Sequence, residues 1–122
     1  MTIGRRDSPF GKGAISLGLY THPELGPRQQ LESVIGLARV ADAVGFDGVT
    51  FSEHHAGFPG YLPDPALVSG WVLEVTDSIW AGACPTVLTL RNPRLVAEQL
   101  VWTASALSGT VRNDVRRWVP RR

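Results

Sequence analysis

Gly45-Phe46-Asp47-Gly48-Val49-Thr50-Phe51-Ser52-Glu53-His54-His55 is the stretch on which the fold turns. Gly45 is placed to close a helix, and Phe46-Asp47-Gly48 reverses the chain. Val49, Thr50 and Phe51 are β-branched or aromatic and predict a short buried strand. Glu53, His54 and His55 fall just past it, so a carboxylate and two imidazoles sit at the carboxyl end of a strand that follows a helix. In parallel α/β architectures ligands and chemistry gather at that end. Loop histidines in such a place also serve as solvated residues or caps, and position alone leaves both readings open.

Upstream, Ile15, Leu17 and Leu19 alternate with Ser16, Gly18 and Tyr20, which predicts a strand. Pro27 suits the first turn of a helix. From there Leu31, Val34, Ile35, Ala38 and Ala41 recur at three- and four-residue steps, with Arg28, Gln29, Glu32 and Arg39 on the opposite face. Strand, amphipathic helix and strand make a βαβ unit, hence a parallel pair. Downstream, Asp64-Pro65 is a cap followed by a first helical position, opening a second helix over 66–76. Ile79 to Leu88 is nearly continuous in apolar residues and reads as a third strand buried on both faces. Asn92-Pro93 repeats the capping pattern before a third helix, 94–107.

The chain has 122 residues, 43% hydrophobic and 19% charged, which suits one modest soluble domain. No apolar run approaches the length of a membrane span. The amino-terminal region is broken by Pro9, Gly11 and Gly13, so it reads as a flexible leader over 1–13 rather than a secretory signal. Cys84 is the single cysteine, which excludes an internal disulfide and fits a reducing cytoplasm. Arg112, Arg116, Arg117, Arg121 and Arg122 crowd the carboxyl end, opposed only by Asp114. The skew of arginine over lysine points to GC-rich coding rather than to a structural purpose.

Taken together, Gly45 to His55, Pro63-Asp64-Pro65-Ala66-Leu67-Val68, Gly82 to Pro93, and Leu95-Val96-Ala97-Glu98-Gln99-Leu100 with Leu107-Ser108-Gly109 resemble the luciferase-like flavin monooxygenases. The resemblance runs in unbroken order from about Ile15 to Gly109. It implies an α/β fold, the N-terminal three βα units of a (β/α)₈ TIM barrel, over 14–109. A whole barrel needs about 250 residues. It also implies FMN or a reduced deazaflavin as cofactor and a small organic substrate. His54 matches the first histidine of the family's Glu-His-His, which implies acid–base chemistry beside the flavin. Glu53 and His55 would orient it or line the cofactor site, with a hydrogen-bonding role favoured for His55. Ala83-Cys84-Pro85 matches the bulge and cis peptide behind the flavin ring, so a cis Cys84–Pro85 bond is expected, and Pro85 makes that isomer accessible. Cys84 itself reads as a small buried hydrophobe rather than a nucleophile. Glu53, His54, His55 and Cys84 lack the spacing of a metal set. Trp71, Trp80, Trp102 and Trp118 are expected to pack.

Past Gly109 the pattern breaks. Thr110 to Arg122 has no apolar periodicity, and it replaces the glycine-rich fourth strand that the resemblance calls for. Codons for Gly109 onward, read one nucleotide later, permit Gly-Arg-Phe-Glu-Met-Thr-Ser-Gly-Val-Gly-Tyr-Arg-Gly. The tail over 110–122 is therefore expected to be a frameshift product. The family's phosphate-binding loops come later than the third unit, so a truncated, inactive monooxygenase that does not retain flavin is expected. Two other readings stand beside this one. A half-barrel could be completed by homodimerisation or by a partner chain. An arginine-rich nucleic-acid binder is the third, although no groove-reading motif supports it.

Overall fold

The computed structural model of the chain describes residues 11–57 and 59–107. Strands β1 (Ser16–Leu19), β2 (Gly48–Phe51) and β3 (Trp80–Ala83) lie side by side in that order, and both neighbouring pairs are parallel. Helices α1 (Pro27–Ala43) and α2 (Pro65–Glu74) form the two crossovers, and α3 (Pro93–Leu107) follows β3 after a 3-10 turn at Leu88–Leu90. The expected alternation of strand and helix is thus present over the described residues. The leader over 1–10 and the arginine-rich tail over 110–122 lie outside them, and Gly11–Gly13 belong to a turn closed by Ala14 N–H on the Gly11 carbonyl.

The helix ends are set by local chemistry. Pro27 opens α1, and the Gln29 side chain accepts from Gly26 N–H. Val34, Ala38 and Ala41 are buried, with Leu31 and Ile35 packed beside them, as the apolar spacing requires. Gly45, at φ 90°, takes the left-handed turn after α1 that a side chain would resist. Asp64 Oδ1 accepts from Leu67 N–H and caps α2. Asn92 Oδ1 accepts from Arg94 N–H ahead of α3.

Two aspartates fix the strand entries. Asp47 Oδ2 accepts from Ile15 N–H at 2.8 Å, and its carbonyl accepts from Trp80 N–H, so one residue aligns β2 with both neighbours. Asp42, near the end of α1, accepts from Asp77 and Ser78 N–H at 2.7 and 3.1 Å and holds the turn into β3.

The core lies between α1, α2 and one face of the sheet, where Val49, Phe51 and Ala81 meet Val34, Val68 and Val72. Alternation along the strands sends Ser16, Gly48 and Trp80 to the other face, with Gly18, Thr50 and Gly82 one row nearer the carboxyl ends. The Trp80 indole lies directly over Gly48, so close that a Cβ there would overlap its ring.

Three expectations need correction. The third strand stops at Ala83 rather than continuing to Leu88, because Pro85 has no N–H to contribute to a ladder. Pairing persists only as Cys84 N–H on the Phe51 carbonyl and Glu53 N–H on the Pro85 carbonyl. Cys84 consequently lies beyond the strand and is exposed rather than buried. Of the tryptophans, Trp80 packs, but Trp71 and Trp102 are exposed, Trp102 at 76%; Trp118 lies outside the described residues. Leu95 and Val101 on the same helix, α3, are exposed as well.

Candidate functional site

At the carboxyl end of β2 the chain leaves the sheet through Ser52 and Glu53, makes an excursion over residues 54–61, and returns at Leu62. Its neck is closed by backbone hydrogen bonds: His54 N–H donates to the Leu62 carbonyl and Leu62 N–H to the Ser52 carbonyl. The excursion turns on Ala56, Gly57 and Gly60, all at positive φ. Thr21 N–H, after β1, reaches the Gly60 carbonyl and ties the loop to the neighbouring strand end.

Glu53 organises this loop from beneath. Its side chain is fully enclosed, and both oxygens are engaged. Oε1 accepts from His55 Nε2 at 2.7 Å and from Arg91 Nε at 3.1 Å, while Oε2 accepts from Val87 N–H at 2.9 Å. Burial alone would raise the carboxyl's pKa. The hydrogen bonds from His55, Val87 and Arg91, with the Arg91 charge, outweigh it and hold the group below the usual glutamate value. Arg91 completes the arrangement by donating from Nη2 to the Pro63 carbonyl at 3.0 Å and pairing through Nη1 with Asp64 at 3.5 Å. Its guanidinium is pushed above its ordinary value: burial opposes this, but Glu53 and Asp64 prevail.

His54 lies on the outer side of the same loop and is exposed. Its Nδ1 is 3.1 Å from His55 N–H and 3.3 Å from the His55 carbonyl. With the neutral ring's proton on Nε2, Nδ1 accepts from that N–H. In the protonated ring Nδ1–H donates to the carbonyl instead. Either state therefore keeps a backbone partner at Nδ1. The Tyr61 ring stands 5.3 Å from the His54 ring and meets Tyr20 edge-on at 5.8 Å.

The second sequence-selected group, Ala83-Cys84-Pro85, is brought to the same end of the sheet. Ser52 Oγ donates to the Cys84 carbonyl at 3.0 Å, and Glu53 N–H donates to the Pro85 carbonyl. The Cys84–Pro85 peptide is cis, as expected. Ala83 is half-buried; Cys84 and Pro85 are exposed. Thus all six selected residues lie at the carboxyl end of the sheet, with Glu53 buried, His55 and Ala83 half-buried, and His54, Cys84 and Pro85 exposed. Sequence reasoning missed Arg91 and Asp64 as members of this network and Tyr20 and Tyr61 as its aromatic border. Arg91 is 38 positions from Glu53, so no local spacing signals the pair.

An apolar cleft runs from this network along β3, with Glu53, Asp64, Ala83 and Arg91 at its polar end. Ser69 and Leu73 of α2, Ile79 and Ala81 at β3, and Leu100 and Ala104 of α3 line it. It follows the free edge of β3, which has no partner strand among the described residues.

Comparison with known proteins places these features. The chain is 29% identical over 100 residues to 3,6-diketocamphane 1,6-monooxygenase of Pseudomonas putida, covering 79% of this chain and 26% of that one. It is 27% identical over 74 residues to the alkanal monooxygenase alpha chain of Photorhabdus laumondii, covering 61% and 21%. The fold superposes with a TM-score of 0.68 on the oxygenating constituent of 3,6-diketocamphane monooxygenase, a Type II Baeyer-Villiger monooxygenase solved with FMN, at 27% identity over 80% of this chain and 28% of that one. The chain is also 30% identical over 96 residues to the enterobactin exporter EntS of Shigella boydii, covering 79% and 21%. No helix among the described residues is long and apolar enough to cross a membrane. The chain thus spans between a fifth and about a quarter of these curated relatives. A luciferase-like monooxygenase model matches residues 14–109, from the lead into β1 to just past α3, with the histidine loop and the Cys84–Pro85 turn inside it, and on that match the chain belongs to the luciferase-like monooxygenase family.

Proposed function

We propose that this chain supplies the His54 wall of a flavin-dependent monooxygenase site, with His54 as the proton-transfer group. The observation that carries the reading is the exposed His54 ring, whose Nδ1 has a backbone partner in both protonation states, inside the family match. An acid–base group works best when gaining or losing a proton costs no hydrogen bond.

The residues present fit part of FMN. Exposed Cys84 and Pro85 after β3, and His54 with the Tyr61 and Tyr20 rings after β2 and β1, lie at the same end of the sheet and offer surfaces of the kind on which a flat heteroaromatic ring stacks. They do not provide a phosphate anchor: the nearest cation in the network, Arg91, is committed to Glu53, Asp64 and Pro63. When bound, a reduced flavin supplies the electrons that activate dioxygen toward an organic substrate. His54 would hold or release a proton at Nε2, and His55 and Glu53 would keep its loop in place.

A catalytically incomplete chain follows from this partial wall. Apolar stacking on an open half-site must offset several kcal/mol of lost ligand freedom, so FMN should bind no tighter than about millimolar. Titrating FMN with the purified chain tests this. Quenching of flavin fluorescence at micromolar protein would overturn it and show that three βα units suffice.

A second reading is favoured by one observation, the unpartnered edge of β3 beside its apolar cleft. Such an edge suits pairing with a further parallel strand, whether from a second copy or from a partner chain. Sedimentation of the purified chain separates the cases, since a monomer at micromolar concentration rules out the self-paired form. For residues 110–122 the frameshift reading is supported by the family match stopping at 109. The coding DNA beyond that codon should continue in the shifted frame without an early stop.

A further inference from the structure

We propose that Arg91 is a positioning residue for His54: through Glu53 it fixes the His55 ring, and the His55 backbone in turn holds His54 Nδ1. This rests on the reading of His54 as the proton-transfer group. The chain of contacts is continuous. Arg91 Nε and His55 Nε2 share one carboxylate oxygen of Glu53, at 3.1 and 2.7 Å. The imidazole of His55 is thereby held from below, and its own N–H and C=O are the two groups that face His54 Nδ1 at 3.1 and 3.3 Å.

Arg91 also grips both ends of the loop that carries His54. Nε holds Glu53, where the chain enters; Nη2 holds the Pro63 carbonyl and Nη1 the Asp64 carboxylate, where it leaves. A planar guanidinium presents donors in fixed directions and can satisfy three acceptors on two chain segments at once. An ammonium is a compact point charge that cannot span them. The residue comes from the segment between β3 and α3, so it couples the histidine loop to the element that follows the Cys84–Pro85 turn.

The consequence for His55 is specific. With Glu53 ionised and shared with Arg91, the neutral His55 ring must carry its proton on Nε2 to donate to Oε1. A charge-assisted bond of this kind biases the two tautomers by at least about tenfold, equivalent to ~1.4 kcal/mol. Without Arg91 the carboxylate is free to turn, and that preference should fall below about threefold.

The test is long-range proton–nitrogen NMR of the nitrogen-15-labelled 122-residue chain, read at both ring nitrogens of His54 and His55. Wild type should show His55 as the Nε2–H tautomer, and His54 with an accepting Nδ1 at high pH. Arg91→Met and Glu53→Leu, which removes the acceptor outright, should each give mixed His55 tautomers and shift the His54 Nδ1 resonance, and the double variant should add nothing to either. Arg91→Lys, which keeps charge and is the milder change should Arg91→Met fail to fold, should leave His55 biased yet still shift His54, because the grip on Pro63 is lost. Arg94→Met, in the first turn of α3, should change neither histidine. Wild-type histidine spectra in Arg91→Met or Arg91→Lys would overturn the proposal and reduce Arg91 to a stabilising ion pair. Failure of the functional reading shows differently: those NMR changes would appear, yet His54→Ala would leave flavin-dependent turnover unaltered in a protein with a complete site.

Discussion

Replacing Glu53 with glutamine keeps the side chain's size but removes the charge that three donors share. Oε1 accepts two donors and Oε2 one, so the new amide group must face a donor whichever way it turns. Turned toward Val87 it loses one bond; turned toward His55 and Arg91 it loses two. The first orientation wins, and the cost is that bond plus the ionic part of the Arg91 contact. Hydrogen bonds to charged groups contribute ~1.5–3 kcal/mol each, and breaking a buried ion pair from one side costs ~3–5 kcal/mol. A loss of about 3 kcal/mol at pH 7 is expected. The pH dependence has a definite sign. Glu53 has its folded-state pKa below its unfolded value, so unfolding takes up a proton in the window between them. Its stabilisation is complete above the unfolded value, about 4.3, and is lost as pH falls through the folded one. The gap between wild type and Glu53→Gln should therefore be full at pH 7 and shrink as pH falls below about 4. Urea melts followed by tryptophan fluorescence read both quantities, with a midpoint drop of roughly 1–3 M at pH 7 for a typical slope. Parallel acid limbs for the two proteins, or a difference under about 0.5 kcal/mol at pH 7, would refute the account of Glu53 as a buried, charge-sharing acceptor.

Gly48→Ala would place a Cβ 2.1 Å from Trp80 Cε2, and overpacking of this kind costs ~1–3 kcal/mol; Trp80→Leu in the same background should recover most of it in the same melts. Gly36→Ala adds a methyl in open space on α1 and should stabilise by about 0.5–1 kcal/mol; destabilisation would mean that α1 is packed on that face. Asp64→Ala removes the α2 cap and one of the two carboxylates on Arg91, for a loss of about 1–2 kcal/mol. Amide exchange should accelerate most in the first turn of α2, and uniform acceleration across the chain would count against a capping role.

What the sequence revealed and what it hid follow from the range of the forces involved. The order of strands and helices was legible because each signal is local. Leu31 to Ala41 repeats at helical spacing, Gly45 supplies a positive φ, and Asp64-Pro65 and Asn92-Pro93 place a cap beside a residue preset for helix. The end of β3 was not legible in the apolar run Ile79 to Leu88, since hydrophobicity reports burial and says little about where a ladder stops. Pro85 was the usable sign, and weighting its missing N–H above the run would have ended the strand early and exposed Cys84. The site divides the same way. Glu53, His54 and His55 are adjacent in sequence and were found together. Arg91, Asp64 and Val87 join them only through the fold, from 11 to 38 positions away. One inference was still available. A glutamate directly after a buried strand is costly unless paired, and Arg91 stands just ahead of the third helix, where a parallel sheet brings the end of the next strand alongside. Asking which cation could reach Glu53 across β3 would have singled out Arg91 before any coordinates, because its alternative on that segment, Arg94, already lies inside α3.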